Sequence, residues 1–395
     1  MQRLSRFFKR PEGLLLSTTF VMAFGFGVWM VLLNNFVIEK AAFTGIEIGL
    51  LQSVREIPGF LAFTAVFVLL IIKEQAFLMF ALALTLAGVA LTGFMPFEYG
   101  LYFTTVVMST GFHYFETIHK SLTLQWLDKA DTAHFLGKVL SVKAVGSLLA
   151  YATTWIAMEV FDVAYRWVYL GVGAFGLLAI FGLFKLAPKF KQEGTQSKKL
   201  VLRKRYWLYY ALVFLSGARR QIFVVFAGFM MVEKYGFSVG DISALFIANY
   251  VFNLFFAAKI GKLIGKIGER KALIFEYLGL ICVFSGYALV QNAYAAATLY
   301  VIDHLFFAFA IAMTTYFQKI AQHKDIAATS SVSFTINHIA AVVIPAILGL
   351  VWISNPSAVF VVGVIFALLS LVCAFSVPAQ PSEQTPTVFG KVSLV

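Results

Sequence analysis

Polar and apolar positions along this chain fall into long blocks. Apolar runs of membrane-crossing length, roughly 20 helical residues, recur over 14–34, 46–72, 76–95, 98–120, 135–158, 166–186, 207–232, 240–264, 271–290, 294–318, 326–353 and 356–377. These twelve segments predict twelve transmembrane helices. Strands are excluded because an open sheet edge has no hydrogen-bond partners in lipid, and the runs are too long and too little alternated for a barrel. The first run follows a basic stretch, Met1 to Arg10, as a signal peptide would. It is too long for a signal core and no small-x-small cleavage site follows, so it is expected to be a retained membrane helix.

Short polar segments separate the runs, and their charges are one-sided. One set holds Arg3, Arg6, Lys9, Arg10, Lys73, Lys129, Lys189, Lys191, Lys198, Lys199, Arg203, Lys204, Arg205, Lys262, Lys266, Arg270, Lys271 and Lys324, while the alternate set holds only Lys40, Arg166 and Lys234. The positive-inside rule therefore predicts a multi-pass protein with both termini in the cytoplasm, expected in a cell (inner) membrane.

The two halves repeat. Glu39-Lys40-Ala41-Ala42-Phe43-Thr44-Gly45-Ile46-Glu47-Ile48 recurs 194 positions on as Glu233-Lys234-Tyr235-Gly236-Phe237-Ser238-Val239-Gly240-Asp241-Ile242. Thr44 and Ser238 are candidate N-caps, with Glu47 and Asp241 three residues on, the spacing of a capping box. Six spans per half make the repeats parallel. The expected organisation is an N-terminal six-helix bundle (1–187), a cytoplasmic linker (188–206), a C-terminal six-helix bundle (207–377) and a disordered cytoplasmic tail (378–395).

Composition agrees. The chain is 61% hydrophobic and 13% charged, with 43 Phe and a mean hydropathy of +0.86, more apolar surface than a soluble fold can hide. The net charge of +12 reads as topology signal and lipid-headgroup contact, and nucleic acid is not an expected partner. Cys282 and Cys373 both lie inside apolar runs, so no disulfide framework or zinc spacing exists.

Charges inside spans are costly unless they face an interior or a wet cavity. They are Arg55 and Glu56 (span 2), His113, Glu116 and His119 (span 4), Lys138 and Lys143 (span 5), Arg219 and Arg220 (span 7), Asp303 and His304 (span 10) and His338 (span 11). Spans 3, 6 and 12 have none in their interiors, and span 9 has only Glu276 near its inner end. The third helix of every three is thus expected to face lipid.

The pattern resembles the major facilitator superfamily over essentially the whole chain. The local support is Gly261-Lys262-Leu263-Ile264-Gly265-Lys266-Ile267-Gly268-Glu269-Arg270-Lys271, similar at Gly261, Leu263, Gly268, Arg270 and Lys271 to the family's cytoplasmic loop signature. Gly265 stands where the family carries an acid, and the loop between spans 2 and 3 is only Lys73-Glu74-Gln75, so the usual acidic latch is not expected. The resemblance implies alternating access, with spans 1, 4, 7 and 10 around a cavity.

Within that frame Arg219 and Arg220 are the leading substrate contacts, because a guanidinium fork grips carboxylate or phosphate in two places. Successive residues point about 100° apart, so only one faces the cavity squarely and the other needs a carboxylate, with Glu56 and Asp303 as candidates. Lys143 adds to the same field, and at the 194 offset Asn337 is its counterpart. His113, His304 and His338 complete the substrate candidates. Asp303, Glu116 and Glu56 are the proton-coupling candidates, since a buried carboxylate takes up or releases a proton as its neighbours change. Each of these has a competing structural role as an ion pair or an interface hydrogen bond.

The expected function is a secondary active transporter of a small anionic solute, proton-coupled, with no cofactor, no resident metal and no enzyme activity, working as a monomer. The alternatives are an exporter of divalent metals or cationic compounds, for which the intramembrane histidines speak, and a non-transporting assembly factor. No phosphate-binding loop exists to let ATP drive it directly.

Overall fold

The computed structural model describes residues 7–8, 10–127, 129–188, 190, 202–322 and 325–389. All regular structure among them is helical. The helices are α1 (Pro11–Ala41), α2 (Gly45–Phe60), α3 (Ala65–Leu69), α4 (Glu74–Thr92), α5 (Glu98–Trp126), α6 (Lys129–Trp155), α7 (Tyr165–Leu186), α8 (Trp207–Gln221), α9 (Gly228–Glu233), α10 (Val239–Ile267), α11 (Glu269–Leu289), α12 (Ala293–Phe307), α13 (Ala310–Ile320), α14 (Ile326–Ser354) and α15 (Pro356–Phe375). Each of the twelve predicted spans falls on helix. Nine helical stretches among the described residues are long and apolar enough to cross a membrane by themselves. The other three predicted spans lie on the helical segments 45–69, 98–126 and 239–267.

Span 5 ends in a π-helical turn at Ile156–Val160, and three further spans are not continuous α-helix. Span 2 breaks into a 3-10 turn at Ala62–Thr64, shortly after Pro58. Span 7 widens into a π-helical turn at Ile222–Ala227, directly after the two arginines. Span 10 is interrupted at Ala308 and Phe309, just past Asp303 and His304. Pro58 lacks the N–H that would bond the Val54 carbonyl, so the ladder is already one bond short in the turn ahead of this break. No glycine or proline marks the other two.

The chain forms two compact units, Met1–Phe43, Val54–Gln196 and Phe237–Ile247 in the first, and Thr44–Ser53, Ser197–Gly236 and Ala248–Val395 in the second. Stretches of ten and eleven residues at the starts of α2 and α10 belong to the opposite unit from the rest of their helices. In the second unit the reason is close packing. A β-carbon on Gly49 would collide with the Pro345 carbonyl of α14, so only glycine lets the two helices approach this far. In the first unit Gly240 donates its N–H to Glu159 Oε1 at 2.7 Å, and Asn35 Nδ2 donates to the Phe237 carbonyl at 2.7 Å.

Internal packing repeats between the units. In the first, α1 packs on α6 and α4 on α7. In the second, α8 packs on α14 and α11 on α15. The helix-start signals repeat as well. Glu47 Oε2 accepts from the Thr44 N–H at 2.8 Å, and Asp241 Oδ2 accepts from the Ser238 N–H at 2.9 Å while Ser238 Oγ accepts from the Asp241 N–H at 3.1 Å. At the loop resembling the family signature, Gly268 adopts a φ of 83°, the left-handed region that favours glycine. In place of a latch from the missing acid, Glu269 pairs with Lys319 at 2.6 Å.

The C-terminal segment corrects one expectation. Residues 378–389 are not a free tail. Val388 N–H donates to Ser376 O at 3.0 Å, Tyr316 Oη donates to Pro386 O at 2.5 Å, Arg205 Nη2 donates to Glu383 O at 2.7 Å, and Thr387 is buried. The polar composition that suggested disorder is satisfied here by backbone carbonyls on the second unit. Most of the expected linker, and residues 390–395, lie outside the described residues.

Candidate functional site

The two arginines of α8 separate as the 100° rotation requires. Arg219 is buried and Arg220 is exposed. Arg219 lies over the Tyr277 ring at 4.5 Å, donates Nε–H to the Leu215 carbonyl at 3.3 Å, and faces Glu276 with Nη1 to Oε1 at 3.8 Å. That is an ion pair but too long for a hydrogen bond. Both its side chain and that of Glu276 are almost sealed, at 4% and 6% exposure.

This departs from the sequence reading in two ways. The partner of Arg219 is Glu276, not Glu56, which is taken by Arg55 at 2.6 Å. The helix carrying Glu276, expected to keep its charges away from the interior, turns Ala272, Leu273, Glu276, Tyr277, Leu280, Val283 and Phe284 into the core of the second unit. Those positions recur along one face of the helix, but the helix is apolar on nearly every side, so its sequence does not single out the buried face.

Asp303 of α12 is also buried. It lines, with Ser216, Arg219, Arg220 and Glu276, a cavity of about 20 Å³ inside the second unit. Neither Asp303 oxygen, nor Glu276 Oε2, nor Arg219 Nη1 has a hydrogen-bond partner among the described residues. The volume suits about one water, which needs roughly 10–15 Å³. His304, next to Asp303, sets its ring against Phe223 at 6.0 Å and Phe307 at 5.5 Å. Asn337 lies against Gly217 of α8, and His338 stacks edge-on to Phe334 at 4.3 Å.

In the first unit the expected shared face of span 4 fans out. Glu116 reaches α6, where Lys143 Nζ donates to both its oxygens at 2.8 and 3.0 Å, and each side chain of the pair is 38% exposed. His119 turns to α1, with Nε2 at 2.9 Å from Thr19 Oγ1 and 3.1 Å from the Leu15 carbonyl. His113 is buried with its ring edge-on to Phe112 at 5.2 Å. Arg55 and Glu56 are both buried, and Ser109 Oγ donates to the Arg55 carbonyl. Glu116 and His119, three residues apart, thus serve different partners, so this helix holds no convergent triad.

Exposure has a specific meaning inside a span. Arg220 stands near the middle of span 7, and a permanently charged guanidinium facing hydrocarbon at that depth costs at least about 2.5–3.5 kcal/mol. Its exposed side must therefore face water. The same argument applies to the half-exposed pair Lys143–Glu116.

Comparison with known proteins gives a consistent result. Residues 15–345 match the sequence profile described as Major Facilitator Superfamily. No curated relative matches. Among solved structures, a mutant of the nucleoside transporter NupG superposes with a TM-score of 0.76 at 13% identity, covering 92% of this chain and 99% of that one. A bacterial homolog of the human lysosomal transporter Spinster, inward-facing and unoccupied, gives 0.70 at 15%, covering 92% and 96%. FucP in the outward conformation gives 0.59 at 15%, covering 93% and 98%. At these identities the likeness is one of fold.

Proposed function

The chain belongs to the major facilitator superfamily, and we propose that it moves a small anionic solute across the membrane by alternating access, with protons as the coupling ion. It is a multi-pass membrane transporter rather than an enzyme. The observation that carries the choice of cargo is the exposed Arg220 at the centre of span 7. It presents a fixed planar cation to water where the alternative is lipid, and the adjacent π-helical turn is a feature that recurs at functional sites. Lys143 is a second half-exposed cation, in the first unit, and Glu116, its partner, becomes free to take up a proton whenever an anion draws Lys143 away. In this reading Arg219 holds the site in place rather than touching cargo, with Asn337, His304 and His338 as further candidate contacts in the second unit and His113 in the first.

A binding screen tests the cargo. Purified protein should gain thermal stability from one or a few carboxylate- or phosphate-bearing solutes, because a ligand that binds only the folded state stabilises it by mass action. Arg220→Lys should weaken that gain at least tenfold in apparent affinity, since the charge survives but the two-point grip is lost. Stabilisation by divalent metal and by no anion transfers the reading to the metal-exporter alternative. An Arg220→Lys protein that binds its anion normally removes Arg220 from the site.

The proposed orientation places both termini in the cytoplasm of a cell (inner) membrane, with the protein working as a monomer. An impermeant thiol reagent applied outside should label Lys40→Cys and not Lys262→Cys. The reverse pattern overturns the orientation.

A further inference from the structure

A groove in the first unit is used by none of the chemistry above. It lies between the start of α1 and the end of α7 and has a volume of about 490 Å³, within the range of ordinary ligand pockets, roughly 300–1,000 Å³. Leu16 and Phe20 of α1 and Ala179, Gly182 and Leu186 of α7 line its sides. Val21 and Leu183, each 6% exposed, form its floor. Gly182 keeps it open, since a β-carbon there would meet nothing within 4 Å. Phe7 and Phe8 also line the groove. A turn ahead of α1 carries them, with the Arg10 N–H donating to the Phe7 carbonyl at 3.2 Å. Gly13 permits that turn, because a β-carbon there would collide with the Phe7 oxygen.

The groove suits hydrocarbon and little else. Among the described residues its only polar lining side chain is Ser17, whose Oγ already donates to the Gly13 carbonyl at 2.7 Å. Ordered water needs several polar partners, which these walls do not offer. A helix about 10 Å across would fill the volume within about one turn. A thin acyl chain threads it lengthwise. The rim, by contrast, is basic. Arg10, just before α1, and Lys185, in the last turn of α7, are both exposed. Lys185 holds its ammonium 4.3 Å from the centre of the Phe181 ring. The sequence ahead of α1 adds Arg3, Arg6 and Lys9 against one nearby acid, Glu12, and α7 carries no acid. Both cations stand at helix ends that the charge bias assigns to the cytoplasmic leaflet, where anionic headgroups concentrate.

We propose that this groove holds one acyl chain of an anionic glycerophospholipid, whose phosphate is drawn to the basic rim at Arg10 and Lys185. The walls select the chain and the rim selects the headgroup, which separates this lipid from those that merely coat the protein. The same stretch of α1 serves a second neighbour. Leu16 and Phe20 line the groove, while Leu15 O and Thr19 Oγ1 lie against the ring of the buried His119. An occupied groove therefore braces the turns of α1 on which that histidine hangs. The site uses no residue of the anion reading. Its place in the inner leaflet rests on the orientation proposed above.

Native mass spectrometry of the delipidated full-length protein tests this, with dioleoyl phosphatidylglycerol and dioleoyl phosphatidylcholine offered in equal amounts. The two lipids share acyl chains and differ in net charge. After collisional stripping of loose lipid, the protein should retain one phosphatidylglycerol, preferred about tenfold or more over phosphatidylcholine, as two cations near a headgroup would give. Gly182→Leu should fill the groove and lower retention of both lipids about tenfold. Gly171→Leu should leave retention unchanged, because that glycine also faces open space on α7 but does not line the groove. Arg10→Gln with Lys185→Gln should abolish the preference for phosphatidylglycerol. Equal retention of the two lipids by the wild type, or full retention by Gly182→Leu, overturns the proposal, because lipid then only coats the surface. Thermal unfolding checks that each variant is folded. If Gly182→Leu is not, survival of the preference in the rim variant overturns the proposal and its loss supports it. No solute is present, so the Arg220 reading stands or falls separately, and a reversed orientation would leave these retentions unchanged.

Discussion

Two acid–cation pairs, one in each unit, are treated in opposite ways. Lys143 and Glu116 meet with two hydrogen bonds, at 2.8 and 3.0 Å, yet both are 38% exposed. Arg219 and Glu276 stand 3.8 Å apart without a hydrogen bond, yet are almost wholly enclosed. The better geometry belongs to the pair that matters less for stability. In water-accessible surroundings a Coulomb interaction is screened and the two side chains give up rotamer freedom, so a good contact yields little. In a sealed site any charge without compensation is costly, so even a loose pair is needed. In the proposed function the first arrangement leaves Lys143 and Glu116 able to exchange partners with solute and proton, and the second fixes a charge behind Arg220.

The largest effect should come from stripping Arg219 of every counter-ion. Glu276→Gln with Asp303→Asn should cost about 3–5 kcal/mol, the scale for breaking a buried pair, read as a large drop in unfolding temperature or loss of folded protein. Each single change should cost under about 1 kcal/mol, because the surviving acid takes over. Additive single and double effects would break the comparison, since the acids would then act independently. Next come the caps, which the two repeats do share. Thr44→Ala and Ser238→Ala should each cost about 0.5–2 kcal/mol, equal within error, measured by thermal unfolding in the same detergent. A clear difference would show that the symmetry of the helix starts is only in sequence. Smallest is the exposed pair. Lys143→Ala and Glu116→Ala should change stability by about 0.2–1 kcal/mol, shrinking as salt is raised. A salt-independent loss beyond that range would place the pair in the same sealed class as Arg219 and Glu276.

What the sequence determined by itself is the part set by solvent. Twelve runs must be helical because lipid offers no partner for a backbone amide, and the spans the runs predicted are the helices observed. Thr44 and Ser238 were legible as caps because capping chemistry acts within one turn. The positive φ of Gly268 is equally local. Arg219 and Arg220 stand out in the sequence because charge inside an apolar run is too expensive to be incidental, and their divergence follows from helix geometry alone.

Tertiary structure decided who partners whom. Glu276 rather than Glu56 faces Arg219 because α11 rotates its polar position inward, and helix rotation is set by packing against α15 rather than by any residue near Glu276 in sequence. Glu116 and His119, neighbours on one helix, serve α6 and α1 for the same reason. The strap formed by residues 378–389 was hidden because its polar residues look unstructured until carbonyl partners such as Ser376 O and buried surface around Thr387 are supplied by the rest of the unit. The interruptions at Ile222–Ala227 and at Ala308 carry no glycine or proline, so the local sequence does not announce them. Local rules reach one helical turn and solvent rules reach one span. The pairing of buried charges depends on distances between spans, and those exist only once the helices have packed.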